Sequence, residues 1–213
     1  IRKRVTYFNY AFNNVDHFLE GRYMKPKIIK SIAPTPLANY SEGFRVGDFV
    51  FAAGQIASDY KTGIPPEATM AASFPYYGSE IKRQTDYILK NIKMTFEAAG
   101  SSLDNVVKAQ VFMRDLNLFN AFDEVWKQHF KSPPPRTTIG TTGLLVEGTL
   151  VEIDLIGYVP KKGFKARAIK SGAPAPLANY KEAVRVGDFV FAAGQLASDF
   201  KTGIPPEAKV DPA

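Results

Sequence analysis

With 213 residues and 45% hydrophobic content, the chain can build one domain of ordinary size plus further material, and nothing in that count forces two complete domains. A net charge of +6 and a pI near 9.3 favour anionic partners, but the 27 Lys and Arg residues are spread along the chain, so the nucleic-acid signal is weak. The absence of cysteine excludes disulfides, thiolate catalysis and thiolate metal sites; two histidines, His17 and His129, without HExxH-like spacing, leave a conventional zinc hydrolase or deaminase almost without ligands.

Residues 1–27 form an N-terminal extension rich in aromatic side chains, among them Tyr7, Phe8, Tyr10, Phe12 and Phe18. Its two readings are an accessory helix and strand or a remnant of a preceding unit. The dense basic groups, Arg2-Lys3-Arg4 here and Lys161-Lys162 with Lys165 and Arg167 further on, read as solvated surface. No run of 18 apolar residues and no signal peptide is legible, which makes a cytoplasmic chain without membrane contact the expectation.

An internal repeat organises the rest. Residues 28–68 read IIKSIAPTPLANYSEGFRVGDFVFAAGQIASDYKTGIPPEA, and residues 168–208 read AIKSGAPAPLANYKEAVRVGDFVFAAGQLASDFKTGIPPEA; 33 of 41 positions are identical. A spacing of 140 residues is domain-sized, not solenoid-sized, so both segments are expected to fold alike as parts of tandem domains. The expected organisation is a complete domain at 28–158, a connector at 159–167 and a partial second domain at 168–213, which lacks counterparts of residues 73–159. Such a partial unit is expected to leave an apolar face for a partner or for more chain.

Within 28–158, the runs 44–46 and 49–51 flank Gly47-Asp48 and predict a hairpin. Lys61-Thr62-Gly63 marks a turn, and Pro65-Pro66 ends regular structure. Ile81, Ile88, Ile92 and Phe96 recur at helical spacing over 79–99, with Gly100 as the stop. Val107, Ala109, Val111 and Met113 alternate as one buried strand face. Leu118, Phe122, Val125 and Trp126 predict a second helix to residue 130, ended by Pro133-Pro134-Pro135. Residues 136–139 and 150–156 read as closing strands. This order, β-β-α-β-α-β-β, defines an α+β class: a mixed sheet with two helices over one face.

Four positions invite chemistry. Arg136 opens a strand after three prolines; its guanidinium suits a carboxylate through a bidentate pair, and a surface salt bridge is the bland alternative. Glu152 lies in an apolar strand, where a carboxylate is expensive unless paired or used; it is a water-activating base, a partner of Arg136, or a solvent-facing strand residue. Gly54, closing VFAAGQ, lets a ligand approach the backbone or marks a bulge. Tyr40 offers a ring and a hydroxyl from a loop. No GxGxxG, P-loop or GxSxG motif supports a redox, nucleotide or serine-hydrolase reading.

These residues together resemble the RidA/YjgF/UK114 family of enamine and imine deaminases. The resemblance is carried by Ala33-Pro34, Asn39-Tyr40-Ser41, VGDFVFAAGQ at 46–55, Glu97-Ala98-Ala99-Gly100, VVKAQVFMRDL at 106–116, Pro135-Arg136-Thr137-Thr138 and GTLVEIDLIG at 148–157. It implies a chorismate-mutase-like fold and a homotrimer, or a trimer-like tandem assembly, with sites in clefts between subunits. It further implies metal- and cofactor-free hydrolysis of 2-imino or 2-enamino acids to 2-oxo acids and ammonia. Under it Arg136 anchors the carboxylate and Glu152 activates water, while Tyr40 and Gly54 line the cleft. Asp123 stands where the family often has asparagine, and Thr138 where it often has cysteine; both are expected at the substrate. Thr141-Thr142-Gly143 lengthens the pocket-shaping stretch, which points to a substrate other than 2-aminoacrylate, such as a larger catabolic imine. The competing class is a small-ligand, RNA or protein-binding module without turnover; the lack of a dense basic stripe, of a stacking motif and of a histidine pair weighs against RNA.

Overall fold

The structure, a computed structural model, describes residues 24–36, 38–71, 73, 78–176 and 178–209, so the expectations for residues 1–23 lie outside the described residues. Between residues 27 and 158 the chain runs β1 (Lys27–Ile28), β2 (Gly43–Val46), β3 (Phe49–Ala52), β4 (Gln55–Ile56), α1 (Glu80–Ala98), β5 (Val106–Met113), α2 (Phe119–His129), β6 (Arg136–Gly140) and β7 (Val151–Tyr158). These strands form a seven-stranded sheet in the order β1-β2-β3-β7-β5-β6, with β4 also paired to β7. Only β5 and β6 run parallel, joined by the crossover through α2; the other pairs are antiparallel, so the sheet is mixed as expected.

The predicted hairpin forms with Gly47 at φ 58°, the left-handed conformation its turn requires. Helix α1 buries Ile81, Ile88, Leu89, Ile92 and Phe96, and Gly100 at φ 80° follows its end. Along α2 and its C-cap the rings of Phe122, Trp126 and Phe130 pack in sequence, with centroids 5.6 and 4.2 Å apart. Both helices cover the face of the sheet that carries Val50, Ala109, Val111, Met113, Val151, Ile153 and Leu155, and this is the main core.

One strand expectation needs correction. A register shift between Val106 and Lys108 turns Val107 away from Ala109, Val111 and Met113. Val106 takes its place in the main core, while Val107 joins a second buried cluster with Tyr158, Val184 and Val186.

That second cluster is where the repeat docks. Strands β8 (Arg167–Ile169), β9 (Ala183–Val186) and β10 (Phe189–Ala192) form a three-stranded antiparallel sheet. Phe49 packs against Phe164, Phe189 and Phe191 with ring centroids 5.1 to 5.9 Å away. The Lys108 ammonium donates to the Ala192 carbonyl at 2.6 Å, and Lys181 donates to the Pro133 carbonyl at 2.6 Å. The expected uncovered apolar face is present as well: Val190 is 58% exposed and Leu196 76%. Among the described residues no helix is long and apolar enough to cross a membrane.

Candidate functional site

Glu152 sits in β7 at the position where its register partners are Ile56 on one side and Phe112 on the other. The strand alternates, so Val151, Ile153 and Leu155 enter the core while Glu152 and Asp154 point to the opposite face. That face opens as a cleft of about 810 Å³ lined by Tyr40, Phe44, Phe51, Gly54, Tyr60, Leu145 and Glu152, a size suited to a small metabolite. Gly54 lets the Glu152 carboxylate come close: a Cβ at this position would meet the Glu152 side-chain tip, which would have to shift. The expected neighbours Tyr40, Gly54 and Glu152 therefore do meet.

Burial, and then the Asp154 charge beside it, raises the Glu152 carboxyl above its ordinary value. A carboxylate shifted that way takes and returns protons closer to neutral pH. Tyr60, not foreseen in the sequence, completes this cleft. It holds the left-handed conformation at φ 57° in the turn closed by Asp59, and burial, with Tyr40 and Glu152 nearby, pushes its hydroxyl upward. The visible signal was its place in the Asp59-Tyr60-Lys61-Thr62-Gly63 turn. Leu145, which lines the same cleft, carried no sequence signal. The loop leading from it to β7 is pinned by Gln84, whose side chain donates to the Gly148 carbonyl at 3.0 Å and accepts from the Leu150 amide at 2.8 Å.

Arg136 lies elsewhere. It opens β6, is 3% exposed, and its guanidinium stands 4.9 to 5.9 Å from the ring centroids of Phe119, Phe122, Trp126 and Tyr180. Its ion partner is Asp123, with Nη2 2.9 Å from Oδ1; Asp123 also meets Lys127 at 2.9 Å. The Nη2–Oδ1 contact lies outside hydrogen-bonding angles, and neither Nη1 nor Nη2 has a hydrogen-bond partner in the protein. Burial pulls the arginine below its ordinary value and Asp123 opposes that, yet an arginine stays charged. The guanidinium is a buried cation held by its ion pair with Asp123 and by the surrounding rings, with Nη1 and Nη2 shielded from solvent.

Arg136 lines a smaller cleft of about 200 Å³ with Phe119, Thr137, Thr138, Tyr180, Gly194, Leu196 and Phe200. Thr138 lines the same cleft. Asp123 does not line either cleft; it is buried behind the guanidinium and positions it. The reading of Glu152 as the ion partner of Arg136 is likewise replaced, because α2 places Asp123 there and the two expected catalytic residues line different clefts. Among the described residues no group of three or more His, Asp or Glu side chains is placed to hold a metal ion.

The fold and these clefts define a class: an α+β domain with two helices on one face of a mixed sheet, the Glu152 cleft on the other face and the Arg136 cleft at the β6 edge beside α2. A family model described as Endoribonuclease L-PSP matches residues 30–159, and the chain belongs to this family, the RidA/YjgF/UK114 family. A RutC family protein of Pyrococcus horikoshii is 36% identical over 135 residues, which cover 63% of this chain and 98% of that protein. A 2-iminobutanoate/2-iminopropanoate deaminase of Dermatophagoides farinae is 33% identical over 136 residues, covering 62% and 97%. Among solved structures, Escherichia coli TdcF with bound serine is similar with a TM-score of 0.53 and 30% identity, covering 62% of this chain and 98% of that one.

Proposed function

We propose that the chain hydrolyses 2-imino or 2-enamino acids to 2-oxo acids and ammonia, with Arg136 holding the substrate carboxylate and Glu152 activating water. One observation carries this reading: the two clefts share one wall. Tyr40, Gly54, Ile56 and Tyr60 line the Glu152 cleft, and their repeat counterparts Tyr180, Gly194, Leu196 and Phe200 line the Arg136 cleft. The same wall thus faces a carboxylate in one copy and a guanidinium in the other. Seating the Arg136 edge of one molecule against the Tyr40 wall of another brings both charges to one cleft, which supports a homo-oligomeric enzyme, a trimer or a trimer-like tandem. The names of the mite deaminase and of the serine-bound bacterial structure support the substrate class.

The chemistry is balanced with these groups alone. An enamine first takes a proton at C3 and gives one up from nitrogen, becoming the imine. Water attacks the imine carbon while one of its protons passes to Glu152 and the π pair moves to nitrogen, which takes that proton back to give an amino group. Glu152 then takes the hydroxyl proton and passes it to the amino nitrogen as the C–N bond breaks and the carbonyl forms, and ammonia leaves. Arg136 holds the reacting carbon in place through the adjacent carboxylate. An RNA-binding role is less well supported, since the Arg136 guanidinium is 3% exposed, too buried to meet a nucleic-acid backbone. We further assign residues 28–158 as the complete unit, 159–167 as connector and 168–213 as the second, partial unit, in a cytoplasmic protein.

The test is the trapping of free imine as semicarbazone while an amino-acid oxidase generates imines from a panel of amino acids. Wild type should lower semicarbazone formation for at least one substrate and Arg136→Ala should not; equal traces for both proteins across the panel would refute the assignment.

A further inference from the structure

We propose that the outer face of the second repeat's sheet is a docking groove for an amphipathic helix, seated as α1 sits on the first repeat and with its C-terminus at Arg185. The proposal is independent of the roles given to Arg136 and Glu152.

The first repeat is the template. There Ile29, Val50, Ala52, Ala57 and Ala68 lie in the main core together with Ile81, Ile88, Leu89, Ile92 and Phe96 of α1. The second repeat keeps the same strand register: Phe189 pairs with Val186 and Ala192 with Ala183, as Phe49 pairs with Val46 and Ala52 with Gly43. Yet Val190, Ala192, Ala197 and Ala208 are exposed, and Ile169 is half-buried. Alternation along β10 sends Phe189 and Phe191 toward Phe49 of the first unit, so Val190 and Ala192 point the opposite way. Side chains that one copy commits to a core thus stand open in the other, on the side where α1 would lie.

Two polar groups say what fits. In the first copy Glu42, held by the Ser31 hydroxyl at 2.7 Å, accepts from the Thr95 hydroxyl of α1 at 3.4 Å. Arg45, whose Nε donates to the Gly47 carbonyl at 3.0 Å, donates through Nη1 to the carbonyl of Ala99, the C-cap of α1, at 3.1 Å. The second copy holds the same two groups ready. Glu182 accepts from the Ser171 amide and hydroxyl at 2.7 and 2.8 Å, and Arg185 Nε donates to the Gly187 carbonyl at 3.0 Å. Among the described residues no helix brings either of them the partner that its counterpart has.

Thr95 and Ala99 are one helical turn apart, so Glu182 and Arg185 together select a helix and set its direction. Glu182 takes a hydroxyl, and Arg185 takes one of the carbonyls that a helix leaves unpaired at its C-terminus. The apolar strip between them takes a stripe of the kind Ile88, Ile92 and Phe96 form, at four-residue spacing. The occupant is therefore an amphipathic helix with such a stripe and a Ser or Thr one turn before its end.

A fluorescein-labelled peptide of residues 79–100, titrated with the full chain and read by anisotropy, tests this. Saturable binding is expected, about tenfold weaker for Val190→Asp, which sets a charge in the strip, and about threefold weaker for Arg185→Ala. A peptide with Ile88→Asp and Ile92→Asp should not bind, and this arm holds even where Val190→Asp disturbs the second repeat. Hydrogen exchange should show the peptide protecting amides at 190–197 and leaving those at 50–57 unchanged. No saturable binding, or binding that Val190→Asp leaves unaltered in a folded protein, would overturn the groove. An unaltered affinity in Arg185→Ala would overturn the direction of the helix. Self-association of the chain that is lost in Val190→Asp would give the face to a second copy and overturn the helix as its occupant.

Discussion

The two repeats carry nearly the same residues and live in opposite surroundings. Val50 is fully buried beneath α1, whereas its counterpart Val190 is 58% exposed; Ile56 is buried and Leu196 is 76% exposed. Yet the local backbone is the same: Gly47 and Gly187 have φ 58° and 56°, Tyr60 and Phe200 have φ 57° and 58°. Local conformation therefore follows the short-range sequence, while burial and chemistry follow what each copy packs against. The wall of the first copy meets Glu152 and that of the second meets Arg136.

The largest effect that would sharpen this contrast falls on catalysis. Glu152→Gln should lower the hydrolysis rate by about 10²–10⁴, the usual range for losing a proton-transfer group, with the near-ultraviolet circular dichroism of Trp126 unchanged. A folded variant with wild-type rates would break the assignment of Glu152 to chemistry.

Next comes packing. Val50→Ala should destabilise the protein by about 2 kcal/mol in denaturant unfolding, from lost burial and the cavity left behind, while Val190→Ala should stay within about 0.5 kcal/mol. Equal losses would show that the second copy is covered in solution.

The pH dependence is subtler. With its folded value raised by burial and by Asp154, Glu152 binds its proton more tightly when folded, so its share of stability is present at low pH and is lost as pH rises from the unfolded value, about 4.3, through the folded one. Hydrolysis, which needs the ionised form, should rise over that window. Asp154→Asn removes the neighbouring charge and should move the rate inflection to lower pH; no movement would exclude Asp154 as a contributor.

The smallest effect tests sameness. The Thr62 hydroxyl and the amides of Lys61 and Thr62 hold the Asp59 carboxylate at about 2, and the corresponding groups of Thr202 and Lys201 hold Asp199 at about 2. Both should titrate together by NMR, and the stability each lends is present above the unfolded value and lost as pH falls through 2. A split between them would show that the turn depends on its surroundings.

Periodicity made the helices and most strands legible, since Ile81, Ile88, Ile92 and Phe96 specify one face without reference to the rest of the chain. The bulge that turns Val107 away from Ala109 was hidden, because both positions are apolar and alternation alone predicts one face. Tyr40, Gly54 and Glu152 were legible as a group through the family motifs, and the structure places them in one cleft. The Asp123–Arg136 pair was not, because it joins a helix to a strand and only packing decides which carboxylate a buried arginine meets. The separation of Arg136 from Glu152 was equally hidden: strand order places them in different clefts, and only the docked repeat reveals the shared wall.

The central claim, that one Tyr-Gly wall serves both charges and that hydrolysis needs Arg136 and Glu152 from different molecules, is tested most directly by mixing. Arg136→Ala and Glu152→Ala proteins, each inactive alone, should regain imine hydrolysis when combined and allowed to exchange, because one supplies Glu152 and the other Arg136. A mixture of folded variants that stays inactive under conditions where the subunits demonstrably exchange would contradict it.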